Sequence, residues 1–161
     1  MERVTETHAF FWGGELSNWY PCRFRYKGLN FYNSEQAFMW EKAVFFHDME
    51  TAKKILQTPD PKENKQLGRK VNNFNAELWS NASYPIMVAV NYAKFSQRKL
   101  LRHVLLETEN LILVEASPYD NIWGIGISWQ DNACLNEANW KGMNLLGKAL
   151  MEVREKLRNG E

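Results

Sequence analysis

A chain of 161 residues, 45% hydrophobic and 14% aromatic with seven Trp, carries enough apolar side chain for one packed domain and too much for disorder. Its 20 Lys and Arg against 19 Asp and Glu exclude the net positive field of a tight non-specific nucleic-acid binder, leaving only a local basic groove. Two scattered Cys and three scattered His match no zinc spacing, and neither a leader core nor a membrane-length segment is present, so a cytoplasmic protein is expected.

In chain order, 10–12 and 24–31 read as short strands around the turn-rich GGELSN and YKGLN. Asn33 or Ser34 caps a helix running to about residue 46, with Gln36 placed for a box with Asn33. Asp48 starts another, to 57. Asp60-Pro61 with Glu63 starts a third, combining a cap, Pro at the first position and an acid in the first turn. Helices over 75–80, 83–95 and 97–108 follow, then the β-rich LILVE (111–115). Residues 117–136 are irregular, and a last helix covers 139–157. The expectation is a single α+β domain over 1–161, mainly helical with a small sheet and no repeat or linker.

Three places carry chemistry. In FYNSEQAFMWEKA (31–43), helical spacing puts Glu35, Phe38, Met39, Lys42, Phe45 and Phe46 on one face, while Ala37, Trp40 and Val44 make the other side apolar. Charges on so apolar a helix need a partner, a solvated cavity or a ligand. Glu35 and Lys42 lie about 10 Å apart along the axis, which suits two ends of one bound molecule. The plainer alternative has Glu35 complementing the helix N-terminus and Lys42 snorkelling to water.

The second place is EASPYDNIWGIG (115–126). Asp120, Trp123 and the flexible Gly124 and Gly126 can form a base-stacking, hydrogen-bonding floor, or a structural turn anchored by Trp123. The third is the last helix, where Asn144 borders a stripe of Trp140, Met143, Leu146, Leu150, Met151, Val153 and Leu157. Its Gly142 and Gly147 each cost about 1 kcal/mol against Ala, which calls for close packing or a ligand. QLGRK (66–70) adds an amide-rich bend with Arg69 for phosphate. No Walker, Rossmann, nucleophile-elbow or HExxH motif occurs.

Seven pieces in register resemble the YbiA-like family, also called the NADAR (NAD and ADP-ribose) superfamily. They are LSNWYP (16–21), NSEQAF…K (33–42), LGR (67–69), Trp79 with Met87 and AKF (93–95), LLET (105–108), LVEAS…DxxWG (113–124) and GMNLLGKALMEVR (142–154). Together they span about 10–157. Two departures, Gln36 where His often follows the Glu and the aromatic SNWYP, are expected to alter substrate fit.

The resemblance implies N-glycosidase chemistry on ribosylamino-pyrimidine phosphates of early riboflavin synthesis, or on ADP-ribose linked to guanine in DNA. It implies Glu35 and Asp120 as catalytic residues. Asn18, Lys42, Arg69, Trp79, Trp123, Gly124 and Asn144 become substrate contacts, with no metal or redox cofactor. In such chemistry one carboxylate stabilises the ribosyl cation or activates water, while an acid protonates the departing base. Lys42 or Arg69 would hold phosphate, and Trp79 or Trp123 would stack on the base. The alternative is a non-catalytic ADP-ribose or nucleotide-binding module, which needs the Trp and the cation but no carboxylate at the scissile bond.

Overall fold

The computed structural model describes all 161 residues. In chain order the elements are strands β1 (Arg3–Val4), β2 (His8–Phe11), β3 (Phe24–Tyr26) and β4 (Leu29–Phe31), and helices α1 (Ser34–Phe45), α2 (Met49–Leu56) and α3 (Pro61–Arg69). Helices α4 (Ala76–Gln97) and α5 (Lys99–Glu107), strand β5 (Ile112–Glu115) and helix α6 (Leu145–Arg158) follow, with two short 3-10 turns before α6. The class is the expected one, α+β and mainly helical. The chain forms two compact units: Asn18–Arg98, called the helical unit below, and Met1–Ser17 with Lys99–Glu161, called the sheet unit. No helix is long and apolar enough to cross a membrane.

The helical unit opens on the β3–β4 hairpin, paired antiparallel with Phe24 opposite Phe31. Lys27 (φ 51°) and Gly28 (φ 77°) are both left-handed at its turn, which matches the twist of a two-residue hairpin loop. Asn33 then caps α1 by accepting the Gln36 N–H at 2.7 Å. Gln36 does not return the bond to Asn33. Its side-chain oxygen accepts from Tyr32 N–H at 2.8 Å, and its amide donates to the carbonyls of Ile55 and Thr58, both at 3.0 Å. The fully buried Gln36 therefore ties α1 to the end of α2, so its departure from the family pattern takes part in helix docking.

Helix α1 packs against α2, α3 and α4. Asp60 and Pro61 start α3 as the sequence indicates, with the Asp60 carboxylate accepting from Lys62 N–H at 3.0 Å. The amide-rich bend expected at Gly68–Arg69 is absent, because both residues belong to α3. A Cβ on Gly68 would strike the Met39 side chain of α1, so this glycine permits close helix packing. Helix α4 is one helix rather than two. Pro85 sits inside it but is exposed, and the carbonyl it leaves unbonded belongs to the exposed Asn81, where water can pair with it.

In the sheet unit, β2 pairs antiparallel with β1 (Arg3 opposite Phe10) and parallel with β5 (His8 opposite Ile112). Phe10, Val114, Ala116, Ile125, Ile127 and Cys134 form a buried cluster there. Helix α6 lies on β5 and α5 lies on α6. Helix α6 starts six residues later than the 139 expected from periodicity. A Cβ on Gly142 would meet the backbone of Gly124 and Asn121, and Asn144 is left-handed at φ 52°. These contacts hold 140–144 irregular. Gly147 lets α6 approach the Leu113 carbonyl, so both glycines serve packing.

Candidate active site

In the helical unit, α1 carries the central charges. Glu35 is buried, and its backbone N–H donates to the Asn18 carbonyl at 3.0 Å, which seats the SNWYP segment on the first turn of α1. Seven positions on, Lys42 is half-buried. Burial pushes its ammonium pKa down, the Glu35 carboxylate pulls it up, and the Arg69 guanidinium lowers it again. Two other expected site residues, Glu35 on α1 and Arg69 at the end of α3, thus act on Lys42. Glu41, a third charge on α1, takes no part in this group. It is buried, and it pairs with Lys27 of the hairpin at 2.7 Å.

Trp79, in the first turn of α4, completes an aromatic cluster beside Lys42. Its ring lies 5.2 Å from Phe38, 5.7 Å from Phe45 and 6.2 Å from Phe46. Phe46 in turn meets Phe74 edge-on at 5.4 Å, and the Lys42 ammonium sits 4.6 Å from the centre of the Phe74 ring. The half-buried Trp79 thus belongs to a ring cluster that reaches the Lys42 ammonium through Phe46 and Phe74, an apolar wall on the side of that cation.

The Asn18 side chain is buried in a polar chain that sequence reasoning missed. Its oxygen accepts from Asn91 at 3.3 Å, Asn91 donates also to the Met87 carbonyl at 3.1 Å, and Ser34 donates to Asn91 at 3.4 Å. The signal was present in α4, where Ser83, Met87 and Asn91 recur every four residues on one buried face. Lys94, one turn further, is fully buried with its ammonium 4.8 Å from the Phe95 ring centre and 5.8 Å from that of Tyr20. Trp19, the aromatic departure, is exposed and lines a cavity of about 410 Å³ with Arg23, Tyr32 and Arg98, whose lining includes neither Glu35 nor Lys42.

The other four expected residues belong to the sheet unit, where hydrogen bonds join them. Asp120 folds its own loop: one carboxylate oxygen accepts from Ile122 N–H and Trp123 N–H, both at 2.8 Å. The carbonyls of Ile122, Trp123 and Gly124 then accept from Leu145, Leu146 and Asn144 N–H, filling the donor-rich start of α6. Gly124 is buried, and a Cβ there would sit 3.0 Å from both the Asp120 and Glu115 carbonyls. The Asn144 amide lies along β5 like an added strand residue, accepting from Glu115 N–H at 3.0 Å and donating to the Leu113 carbonyl at 2.9 Å. Its two polar atoms are thereby engaged by backbone. Nowhere do three His, Cys, Asp or Glu side chains gather to hold a metal ion.

The fold is that of a small α+β domain whose central buried helix carries a charged group beside an aromatic cluster. The NADAR domain family matches residues 10–158, and the chain belongs to that family. It is 40% identical over 165 residues to an N-glycosidase of Acanthamoeba polyphaga mimivirus, covering 94% of this chain and 96% of the viral one. A riboflavin biosynthesis protein of Vibrio vulnificus is 30% identical over 152 residues; 94% of this chain matches 36% of that longer protein. The solution structure of the E. coli protein YbiA superposes with a TM-score of 0.80 at 28% identity, covering 98% of this chain and 89% of YbiA.

Proposed function

We propose that this protein hydrolyses the bond between a ribosyl carbon and a base nitrogen in a phosphorylated ribosylamino-pyrimidine, or in ADP-ribose linked to guanine in DNA. At the coarser level the chain is an N-glycosidase, a hydrolase of N-glycosyl bonds, like the relatives that carry that name. A single family spanning 10–158 supports treating 1–161 as one domain.

The observation that carries the proposal is the placing of buried Glu35 and half-buried Lys42 on one helix, with the Lys42 ammonium over the Phe74 ring and in the field of Glu35 and Arg69. Breaking a ribosyl C–N bond leaves positive charge on the sugar and moves an electron pair to the base nitrogen. Water then bonds to the anomeric carbon, loses a proton, and the base gains one. Glu35 is the carboxylate to stabilise the sugar cation or take the proton from water, and Asp120 is the second catalytic carboxylate of the reading. Lys42 and Arg69 hold the phosphate as cations, and the Trp79 ring lies against the base or sugar face. Trp123 is read as a further stacking residue, whereas Gly124 and Asn144 act by shaping the 120–124 loop and the start of α6.

The test is incubation of the purified protein with each substrate class, followed by mass spectrometry of released base and ribose phosphate. Release from one class, with the other untouched, names the substrate. Binding of both without release from either would replace the enzyme reading by the nucleotide-binding module.

A further inference from the structure

The segment between α3 and α4 presents an aromatic ring to solvent and fixes it there. The buried Asp48 carboxylate takes Asn72 through one oxygen, from its N–H at 2.9 Å and its side-chain amide at 3.2 Å. The other oxygen caps α2 at Thr51 N–H, 3.1 Å away. Asn73 follows in the left-handed region at φ 64°, a conformation Asn tolerates better than most residues. This pinned turn lays Phe74 against Phe46 and brings its ring to the Lys42 ammonium, 4.6 Å from the ring centre. Phe74 stays 50% exposed, so the ring meets the ammonium at the surface rather than in the core.

We propose that Phe74 is a positioning residue, its ring face holding the Lys42 ammonium ready for an anionic ligand; this rests on the reading of Lys42 as the phosphate contact. A ring face is suited to that task. Its quadrupole attracts the cation but supplies no formal charge and takes up no lone-pair acceptor, so the ammonium keeps its net charge for the ligand. A carboxylate in the same place would neutralise it. The charged groups acting on Lys42 are Glu35 on its own helix and Arg69 from α3; α4 brings the uncharged Trp79 near the ring cluster, and the 71–75 segment brings Phe74.

Phe74→Leu keeps an apolar side chain and removes the quadrupole, while Phe74→Tyr keeps the ring. Side-chain NMR titration of Lys42 in the ligand-free protein reads the contact without any assay of activity. The Leu variant should titrate Lys42 at lower pH than wild type, and the Tyr variant should restore it. With a phosphorylated substrate, KM should rise roughly ten-fold in the Leu variant with kcat changed less than about two-fold, and return toward wild type with Tyr. Unchanged Lys42 titration in the folded Leu variant overturns the proposal. A shifted titration with unchanged KM supports the ring contact and overturns the phosphate reading of Lys42, so the two failures are distinct.

Discussion

The α1 face of the helical unit and the 120–124 loop of the sheet unit use their polar residues differently. On α1, the charge of Lys42 answers first to burial and then to other side chains, Glu35 and, from α3, Arg69. In the loop and at the start of α6 that packs on it, Asp120 and Asn144 direct their polar atoms at backbone N–H and C=O groups. The polar residues of the two regions therefore answer to different tests. A change on α1 should reach ligand affinity or turnover first. A change in the loop reaches the fold unless the replacement keeps the hydrogen bonds.

The largest expected effects come from the carboxylates. Glu35→Gln keeps size and removes charge, so turnover should fall at least about a hundred-fold with thermal stability retained. Asp120→Asn is the matching change in the loop, because an Asn oxygen still accepts from Ile122 and Trp123 N–H. A comparable loss of turnover in a variant of wild-type Tm would assign the Asp120 charge to the reaction. Full activity would leave Asp120 as a loop residue alone.

Asn144→Ala comes next and should act on stability. It strips partners from Glu115 N–H and the Leu113 carbonyl, and leaving such groups unpaired should cost about 2 kcal/mol in chemical denaturation. Stability unchanged within about 0.5 kcal/mol would mean that water replaces the amide at β5. Smaller still is Lys42→Met, which should raise KM roughly ten-fold for a phosphorylated substrate and barely alter a dephosphorylated one. An equal rise for both would point to a packing role for the Lys42 stem on the aromatic cluster.

The same contrast explains what could be read from the sequence. The first three helices, the LILVE strand and the buried charge on α1 were legible because capping residues and helical periodicity are local signals. The continuity of α4 was not, since tolerance of Pro85 depends on which side of the helix faces water. The late start of α6 was hidden for a similar reason. Asn144 continues the periodic stripe, but its amide is drawn to β5, thirty-one positions earlier at Leu113. Asp48 was read correctly as the start of α2, but its hold on Asn72, and with it Phe74, was missed, because a loop held by a distant carboxylate leaves no period to detect.

The smallest expected effect tests that hidden support. Backbone and side-chain donors of Asn72 and Thr51, the Asn72 N–H foremost, hold the Asp48 carboxyl below its ordinary pKa of 3.8. A carboxylate favoured in the folded state binds protons more readily once unfolded, so its stabilisation is fully present above that ordinary value and drains away as pH falls through the lower folded one. Tm should therefore decline on acidification, with Asp48 contributing below about pH 4. Asp48→Asn removes this part of the dependence and should flatten the acid limb while lowering Tm by a few degrees at neutral pH. Because Asp48 fixes the turn that carries Phe74, the variant should also loosen Lys42, seen as a modest rise in KM at neutral pH without a matching fall in kcat. An acid limb as steep in the variant as in wild type would remove Asp48 from the account. A proportional loss of kcat instead would mean that the turn supports Glu35 as well as the anion site.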